Sequence, residues 1–266
     1  MAYVYSHVVI VGIDGAGNFY KKTETPVIDR LFREGAGTDR CLTSLPSISA
    51  ECWGSMLTGV PPEVHGLTNS IVEREPYVNK DHPTIFKLIR DARSEAVLAS
   101  FSNWSPINTG IVEGGLDVDF DSGDDAELTE RICSYIKDKK PVFLFVQLDN
   151  VDGAGHSYGY GSDKYLETLS RADGHLGKIR AAVEEAGIAD DTLFIATADH
   201  GGLGQSHGGD SDEEKYVFFA AVGKTVPKGS VINLEVKDIP AIVARALGVK
   251  GAPNWNARLP EGLFTE

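Results

Sequence analysis

The sequence DTLFIATADHGGLGQSHGGD, residues 191–210, joins a short apolar run to a group of polar side chains. Residues 192–198 have the length and composition of a buried strand. Asp199 and His200 follow at once, and His207 lies seven residues beyond His200. We expect the glycines after each histidine to let the backbone turn sharply and to leave room for an ion. Three ligand-type side chains within nine residues predict a metal site at the end of this strand, rather than helix caps or surface histidines.

Two other apolar runs also lead to acidic residues. Residues 8–13 form a β-branched run that stops at Asp14, and residues 142–148 form the most apolar run of the chain, shortly before Asp152. Both have the composition of buried parallel strands. In open α/β sheets the functional crevice lies outside the carboxyl ends of the strands. We therefore expect these acids to meet the side chains that follow residues 192–198.

Asp152 is followed four residues later by His156, with the sequence Gly-Ala-Gly between them. Such a spacer is unfavourable inside a helix, so we predict a loop that folds both side chains onto one ion. Asp149, three residues before Asp152, is expected to support the site as a hydrogen-bond acceptor for His156 rather than as a further ligand.

The resulting metal-ligand set contains three carboxylates and three imidazoles and no thiolate. Its members are Asp14, Asp152, His156, Asp199, His200 and His207. Six protein ligands are too many for one tetrahedral ion and enough for two, and the mixture suits Zn²⁺ or Mn²⁺ better than Ca²⁺ or Mg²⁺. Two ions about 3.5–4 Å apart are the usual arrangement for displacement at phosphorus. We therefore expect two divalent metal ions as cofactors, most simply Zn²⁺, and a small phosphoester as substrate.

The rest of the chain alternates strand-like and helix-like segments. Strands are expected at residues 8–13, 96–101, 142–148, 192–198 and 216–222, and helices at 25–35, 50–57, 84–93, 127–139, 164–186 and 239–247. Loops or irregular surface are expected at 42–49, 63–70 and 103–125. The alternation predicts one three-layer α/β/α domain over residues 1–266, with a mostly parallel central sheet between helical layers.

Charge and cysteine content limit the class of partner and the compartment. The 266 residues carry 39 acidic and 25 basic side chains, a net charge of −14, which argues against binding to nucleic-acid polymers or anionic membranes. A small anionic substrate remains compatible, because bound divalent cations reverse the local field. The cysteines at 41, 52 and 133 show no paired spacing, and we find neither a leader pattern nor an apolar run of membrane-spanning length. We therefore expect a cytoplasmic protein.

Five segments occur in the order VGIDG, SISAECWGSMLTGVPPEVHG, DGAGHSYG, ADHGG and SHGG. In that order they resemble the alkaline phosphatase superfamily, and within it the branch of type I phosphodiesterases and nucleotide pyrophosphatases, over residues 8–247. The resemblance implies an alkaline-phosphatase-like fold with a minimal cap. It also implies a two-zinc hydrolase of phosphodiesters or nucleotide-like substrates, with a Ser or Thr nucleophile between the metals. One metal would be bound by Asp14, Asp199 and His200, and the other by Asp152, His156 and His207.

The same resemblance implies that the nucleophile is Ser49. In the family this residue lies nine residues before the Thr-Gly pair that precedes a Pro-x-x-His-Gly segment, and Thr58-Gly59 is that pair here. A hydroxyl at the start of a helix also gains from the helix dipole and from free backbone N–H groups. Ser47 and Ser55 are the alternative positions in the same segment.

The residues after the expected nucleophile depart from the phosphodiesterase branch. Relatives often have Thr followed by Phe-Pro-Asn, whereas this chain has Ser49 followed by Ala-Glu-Cys. Asn69 lies one residue short of the position of the family asparagine that holds a phosphoryl oxygen, and we assign that role to it. The Pro and Arg that sulfatases require after their nucleophile are missing, which argues against a sulfatase.

Two alternative functions remain open at this stage. The same site would serve a phosphomonoesterase, a phosphonate hydrolase or a phosphomutase. A protein of another class, a non-catalytic metal-binding scaffold, would use the same fold without turnover. The complete ligand set argues against the scaffold, because decayed enzymes usually lose ligands. The sequence indicates neither the natural substrate nor the oligomeric state.

Overall fold

A computed structural model describes residues 4–77 and 81–265. Its strands are β1 (His7–Ile13), β2 (Ala36–Leu42), β3 (Leu98–Ser102), β4 (Val118–Asp121), β5 (Phe143–Leu148), β6 (Thr192–Thr197), β7 (Tyr216–Val222) and β8 (Ser230–Val231). Within the described residues these strands form one sheet in the order β4-β3-β5-β1-β6-β7-β2-β8. Neighbouring strands are parallel except where β7 pairs with β6 and β2. The predicted mostly parallel sheet is therefore confirmed.

Helices cover both faces of this sheet. They are α1 (Pro26–Glu34), α2 (Ser49–Thr58), α3 (Pro62–His65), α4 (Asn69–Val72), α5 (Ile85–Ala92), α6 (Asp125–Lys139), α7 (Asn150–Tyr158), α8 (Asp163–Glu185), α9 (Asp212–Lys215) and α10 (Ile239–Leu247). One layer contains α1, α6 and α8, and the other contains α2, α5 and α10, with α10 against β1. This arrangement confirms the predicted three-layer α/β/α domain.

The centre of the sheet positions the acidic residues. Strands β5, β1 and β6 lie side by side, and nearly all of their side chains are buried, as expected for strands covered on both faces. The register pairs Ile13, the last residue of β1, with Leu148, the last residue of β5. Because β6 is also parallel to β1, Asp14 and Asp199 leave the sheet at the same edge.

Several segments differ from the sequence prediction. Residues 63–70 were expected to be loop but contain the end of α3 and the start of α4. Residues 103–125 were expected to be irregular but contain a π-helical turn at Ile107–Ile111 and the edge strand β4. Strand β2 was not predicted, because its sequence AGTDRCL lacks a regular apolar alternation. It is a strand because β7 and β8 pair with it from both sides.

A helix that crosses a bilayer must be both long and apolar. Among the helices in residues 4–77 and 81–265, none combines the length and the apolar character that crossing a membrane requires.

Candidate metal centre and active site

Three ligand-type side chains meet at the carboxyl edge of β1 and β6. Asp14 follows β1, Asp199 and His200 follow β6, and all three are almost completely buried. The Nε2 atom of His200 lies 3.4 Å from Oδ1 of Asp14 and 3.3 Å from Oδ2 of Asp199. The structure thus brings together one of the two predicted ligand sets, which we call the first cluster.

Each carboxylate of the first cluster has one oxygen that is hydrogen-bonded and one that is not. Oδ2 of Asp14 accepts hydrogen bonds from the indole N–H of Trp53 at 2.9 Å and from the side-chain amide of Gln147 at 2.8 Å. Oδ1 of Asp199 accepts from two backbone N–H groups at 2.8 and 3.1 Å. Oδ1 of Asp14 and Oδ2 of Asp199 are buried and have no hydrogen-bond partner among the described residues. Unpaired buried acceptors are costly, and a cation between them would remove that cost.

Burial dominates the pKa values in this cluster. Burial, together with the charges of Asp199 and Asp152, raises the pKa of Asp14 well above its usual range. Burial raises the pKa of Asp199 to about 8 and lowers the pKa of His200. A divalent cation would favour ionised carboxylates and a neutral imidazole, which are the forms that bind metals. The donor set therefore fits a metal ion.

Asp152, His156 and His207 form the second cluster. The Nε2 atom of His156 lies 3.1 Å from Oδ2 of Asp152 and 3.2 Å from Nε2 of His207. Two unprotonated ring nitrogens repel each other at this distance, so a proton or a cation must lie between them. Burial alone would raise the pKa of Asp152, but its hydrogen bond with His156 lowers it to about 2. The same bond raises the pKa of His156 to about 9, so a proton competes with a cation for this position.

The segment that carries Asp152 and His156 is a helix, α7, and the predicted loop is wrong. Residues four apart lie on one face of a helix, so both side chains still reach one position. The glycine-rich sequence is held in this conformation by tertiary contacts. The buried carboxylate of Asp125 accepts hydrogen bonds from the backbone N–H groups of Asp149 and Asn150 at the start of α7. Packing of α7 against α8 also offsets the low helix propensity.

All three histidines present the same ring nitrogen to the site. In each case Nδ1 is hydrogen-bonded to a backbone carbonyl, which can only accept. The pairs are His200 with Gly201 at 2.9 Å, His156 with Gln205 at 3.0 Å and His207 with Ser47 at 2.7 Å. Nδ1 therefore carries a proton in each ring, and Nε2 is the nitrogen that can bind a metal ion. At His156 the ion must displace a second proton, because the pKa of this imidazole is raised to about 9.

The expected support of His156 by Asp149 is not found. The carbonyl of Gln205 orients the His156 ring, whereas Asp149 accepts a hydrogen bond from the amide of Gln147 at 2.8 Å. Because Gln147 also donates to Asp14, Asp149 supports the first cluster through that amide.

The two clusters adjoin each other, and Ser49 lies beside them. The rings of His200 and His207 stack with their centroids 3.9 Å apart and an interplanar angle of 15°. Ser49 is the first residue of α2, is 8% exposed, and places its Oγ 3.2 Å from Nε2 of His200. The residue before it, Ile48, occupies the N-cap and offers no side-chain hydrogen bond to the helix. The N-cap side chain therefore leaves the N–H groups at this helix start free, although that of Ala50 is bonded to Oδ1 of Asn69.

The two alternative serines are engaged in structural hydrogen bonds. The hydroxyl of Ser47 donates to the carbonyl of Gly209 at 2.8 Å and accepts from the N–H of Gly208 at 3.0 Å. The hydroxyl of Ser55 is bonded to Nε2 of His65 at 3.1 Å. Both serines are fully buried, so Ser49 is the serine of this segment whose hydroxyl reaches a predicted metal ligand.

Asn69 is the first residue of α4 and lies against the start of α2. Its Oδ1 accepts a hydrogen bond from the backbone N–H of Ala50 at 3.0 Å. The NH₂ group of the amide therefore remains available as a donor, and no described residue accepts from it. A donor without an acceptor among the described residues therefore lies next to Ala50, the residue that follows Ser49.

Several residues that hold the clusters were not identified from the sequence. Trp53 is fully buried, and its indole N–H donates to Asp14. Gln147 is a single polar residue inside an apolar strand, and that exception is a signal that could have been used. Tyr160 donates its hydroxyl proton to Asp152.

The sequence predicted that the glycines after His200 leave room for an ion, and for Gly201 and Gly202 this prediction is wrong. A Cβ at Gly201 would lie 2.0 Å from the carbonyl oxygen of Glu213, and a Cβ at Gly202 would lie 2.5 Å from the ring of Tyr160. Neighbouring groups of the protein itself fill the space beside both glycines.

Comparison with known sequences identifies the family. A family model described as type I phosphodiesterase / nucleotide pyrophosphatase matches residues 8–237. Human ectonucleotide pyrophosphatase/phosphodiesterase family member 1 is 25% identical over 194 residues, which is 66% of this chain and 21% of that protein. The chain thus spans about a fifth of the length of this curated relative.

Solved structures show the same fold at low sequence identity. Human ectonucleotide pyrophosphatase / phosphodiesterase 5 matches with a TM-score of 0.80 and 13% identity, covering 95% of this chain and 97% of the other. An inactive form of the murine protein in complex with AMP matches with a TM-score of 0.78 and 14% identity, with the same coverage. A 2-O GAG sulfatase matches with a TM-score of 0.77 and 12% identity, covering 96% of this chain and 73% of the sulfatase. The alkaline-phosphatase-like fold expected from the resemblance is thereby confirmed.

The family match extends from the second residue of β1 to the residues just before α10, so it includes every strand of the sheet and both clusters. On this evidence the chain belongs to the type I phosphodiesterase / nucleotide pyrophosphatase family.

Proposed function

We propose that this chain hydrolyses phosphodiesters or nucleotide-like phosphoesters with Ser49 as nucleophile and two divalent metal ions, most simply Zn²⁺, as cofactors. The observation that carries the proposal is the pair of buried carboxylate oxygens without partners, Oδ1 of Asp14 and Oδ2 of Asp199. Both lie within 3.4 Å of the Nε2 atom of His200, and Ser49 is hydrogen-bonded to that same nitrogen. A structural core has no need of this arrangement.

The two clusters would hold one ion each, the first through Asp14, Asp199 and His200 and the second through Asp152, His156 and His207. Bound divalent cations would supply Lewis-acid catalysis, by lowering the pKa of a hydroxyl and by neutralising charge on phosphoryl oxygens. The mixture of imidazole and carboxylate ligands, without thiolate, favours Zn²⁺ and admits Mn²⁺.

Ser49 would attack phosphorus and become esterified as the bond to the leaving oxygen breaks. Water would then hydrolyse the phosphoserine ester and regenerate the hydroxyl. Ser49 is suited to this role because it begins a ten-residue helix whose N-terminus has no side-chain cap. The partial positive charge of that helix end favours the anionic phosphoryl group.

Asn69 would donate its amide N–H to a non-bridging phosphoryl oxygen. Its Oδ1 is held by the N–H of Ala50, which directs the same amide group to a defined place beside Ser49. A donor fixed in advance stabilises charge that develops in the transition state.

The charge of the site favours a diester over a monoester. Within the described residues, no lysine or arginine side chain forms a hydrogen bond or ion pair with any of the six ligands, Ser49 or Asn69. A phosphodiester carries one negative charge at neutral pH, whereas a monoester carries nearly two. Without a cationic side chain at the phosphoryl position, the less charged substrate is favoured.

The proposal is tested with two p-nitrophenyl substrates and a metal analysis. The purified protein loaded with Zn²⁺ should contain about two ions per chain and should cleave bis-p-nitrophenyl phosphate with a higher kcat/KM than p-nitrophenyl phosphate. Higher activity on the monoester would favour a phosphomonoesterase. Two bound ions with no turnover of any phosphoester would favour the non-catalytic scaffold.

We also propose that residues 1–266 act as one catalytic domain. The C-terminal segment packs onto the site-bearing part of the fold, because the N–H groups of Asn256 and Ala257 donate to the carbonyl of Gly59 at the end of α2. Near its end, Thr265 is hydrogen-bonded to Thr225. Truncation before residue 255 should therefore expose α2 and lower the melting temperature; an unchanged melting temperature would contradict the proposal.

A cytoplasmic location is proposed on the basis of the thiols. Cys41, Cys52 and Cys133 are all free, and the first two are buried, as is usual for proteins of a reducing compartment. The names of the relatives carry the prefix "ecto", so the location needs a direct test. Recovery of the protein in an extracellular or periplasmic fraction would overturn this proposal.

A further inference from the structure

Tyr160 connects the two segments that carry the clusters. It lies two residues beyond α7, and its backbone N–H donates to the carbonyl of Gly204 at 2.8 Å. Its hydroxyl donates to Oδ1 of Asp152. The ring packs edge-on against His156 and His207, with centroid distances of 5.9 and 6.3 Å. One side chain therefore contacts all three members of the second cluster.

The position of the Tyr160 ring is fixed by two glycines from different motifs. A Cβ at Gly155, between Asp152 and His156, would lie 2.6 Å from ring atoms, and a Cβ at Gly202 would lie 2.5 Å from them. Neither glycine has a positive φ, so their conformations do not require glycine. Glycine is needed at both positions because the tyrosine ring occupies the space that a Cβ would fill. Gly155 in DGAGH and Gly202 in DHGG are thus explained by the tyrosine ring that lies against both.

Fixing the ring fixes the carboxylate. Because the hydroxyl engages Oδ1 of Asp152, that side chain cannot rotate freely, and Oδ2 is the oxygen that lies 3.1 Å from Nε2 of His156. We propose that Tyr160 is a positioning residue, which holds Asp152 so that Oδ2 and the Nε2 atoms of His156 and His207 converge on one cation. This inference rests on the proposed function, in which the second cluster binds a metal ion.

The test removes only the hydroxyl. Zn²⁺ is titrated into metal-free protein by calorimetry, and the step that belongs to the second cluster is identified as the one that Asp152→Ala abolishes. Tyr160→Phe should weaken that step by about 10–100-fold, the usual effect of losing a group that orients a metal ligand, and should leave the other step unchanged. Gly202→Ala keeps the hydroxyl but displaces the ring, so it should weaken the same step.

Tyr165→Phe is the matched control. Its ring lies 5.4 Å from that of Tyr160, and its buried hydroxyl donates to the carbonyl of Gly15 at 2.7 Å instead of to a carboxylate. It should leave the step that depends on Asp152 unchanged. Equal weakening of that step by both variants would show a general structural effect and overturn the inference.

Two further outcomes separate this inference from the proposed function. If the wild type shows two binding steps and Tyr160→Phe retains both affinities, the inference alone is overturned. If the wild type shows no step that depends on Asp152, the proposed function fails and the inference fails with it. Co²⁺ in place of Zn²⁺ gives an independent readout, because a displaced carboxylate should change the visible absorption of the ion at the second cluster.

Discussion

The hydroxyl of Ser49 lies 3.2 Å from Nε2 of His200, although the two residues are 151 positions apart in the chain. Ser49 begins α2 in one helical layer, whereas His200 follows β6 at the edge of the sheet. The same nitrogen faces the unpaired oxygens of Asp14 and Asp199. This convergence of a hydroxyl, an imidazole and two carboxylates is the basis of the predictions that follow.

Removing the hydroxyl of Ser49 should abolish most of the hydrolysis. Ser49→Ala is expected to fold, to bind both metal ions and to lose diester cleavage, because no other hydroxyl of the segment reaches His200. Ser49→Thr should keep partial activity, since it retains a hydroxyl. Wild-type protein quenched during turnover should carry phosphate on Ser49 by mass spectrometry.

Ser55→Ala is the control for Ser49→Ala. It removes a fully buried hydroxyl from the same helix, one that is bonded to His65 and not to the clusters, and it should keep kcat/KM. If Ser49→Ala cleaves diesters at nearly the wild-type rate, covalent catalysis by Ser49 is wrong.

Removing the side-chain amide of Asn69 should reduce the stabilisation of the transition state more than it reduces the stability of the fold. Asn69→Ala removes one donor to the phosphoryl group, and losses of this kind cost about 2.7–4 kcal/mol, or about 10²–10³ in kcat. It also leaves the N–H of Ala50 without its acceptor, so a modest drop in melting temperature is expected. Steady-state kinetics and thermal unfolding measure the two effects. Asn69→Asp keeps an acceptor for Ala50 but loses the NH₂, so it should restore stability without restoring kcat; unchanged kcat/KM in both variants would remove Asn69 from the site.

Metal removal should destabilise the protein. A cation that binds only the folded state stabilises it by about 2.7 kcal/mol at a free concentration 100 times its Kd, and it would relieve the unpaired oxygens of Asp14 and Asp199. Dialysis against a chelator should therefore lower the melting temperature, and stoichiometric Zn²⁺ should restore it. Asp14→Ala should lose part of this response, whereas Asp210→Asn, at an exposed carboxylate outside both clusters, should keep it. An equal response in all three proteins would point to non-specific binding.

His65 should make stability depend on pH independently of the metals. Burial lowers its pKa from 6.5 to about 4, and Nδ1 accepts a hydrogen bond from the N–H of Leu67, so protonation would break that bond. The folded state therefore binds this proton less readily than the unfolded state, and stability is lost as pH falls from 6.5 towards 4. The contribution of His65 to this loss between pH 7.5 and pH 5 is about 2 kcal/mol.

The measurement compares denaturant unfolding of the wild type and His65→Asn at the two pH values. Asn is chosen because its side-chain oxygen can accept from Leu67 but does not titrate. Between pH 7.5 and pH 5, the free energy of unfolding of His65→Asn should fall by about 2 kcal/mol less than that of the wild type. His200 and His207, whose pKa values are also lowered by burial, titrate in both proteins and cancel in the comparison. Equal pH dependence in the two proteins would show that His65 is not the titrating group.

Most of the sheet and the six members of the two clusters could be predicted from the sequence for a local physical reason, whereas their division into two sets followed from the family resemblance. Buried parallel strands are short apolar runs, and a parallel sheet brings their carboxyl ends to one edge. Asp14, Asp199 and His200 follow such runs directly, so their meeting required no tertiary information. Strand β2 could not be predicted in this way, because its side-chain pattern is not that of a strand. Its backbone pairing with β7 and β8 makes it one.

The conformation between Asp152 and His156 shows where local reasoning stops. Two glycines in five residues predict a loop, yet the carboxylate of Asp125 and the packing against α8 hold a helix there. The ring of Tyr160 then requires one of those glycines for its space rather than for its flexibility. A propensity worth about 1 kcal/mol per glycine is overcome by contacts with residues that are distant in the chain.

By itself the sequence determined which ligand-type groups this protein brings together, three carboxylates and three imidazoles, because strand ends are local features of the chain. The serine at the helix start was identified by resemblance to the family. The tertiary structure alone decided how those groups are held. The protonated ring nitrogens face carbonyls of Gly201, Gln205 and Ser47, and the carboxylates are turned by Trp53, Gln147 and Tyr160. Most of these hydrogen bonds join residues far apart in sequence, so no local pattern encodes them, and they form only when the strands and helices have packed.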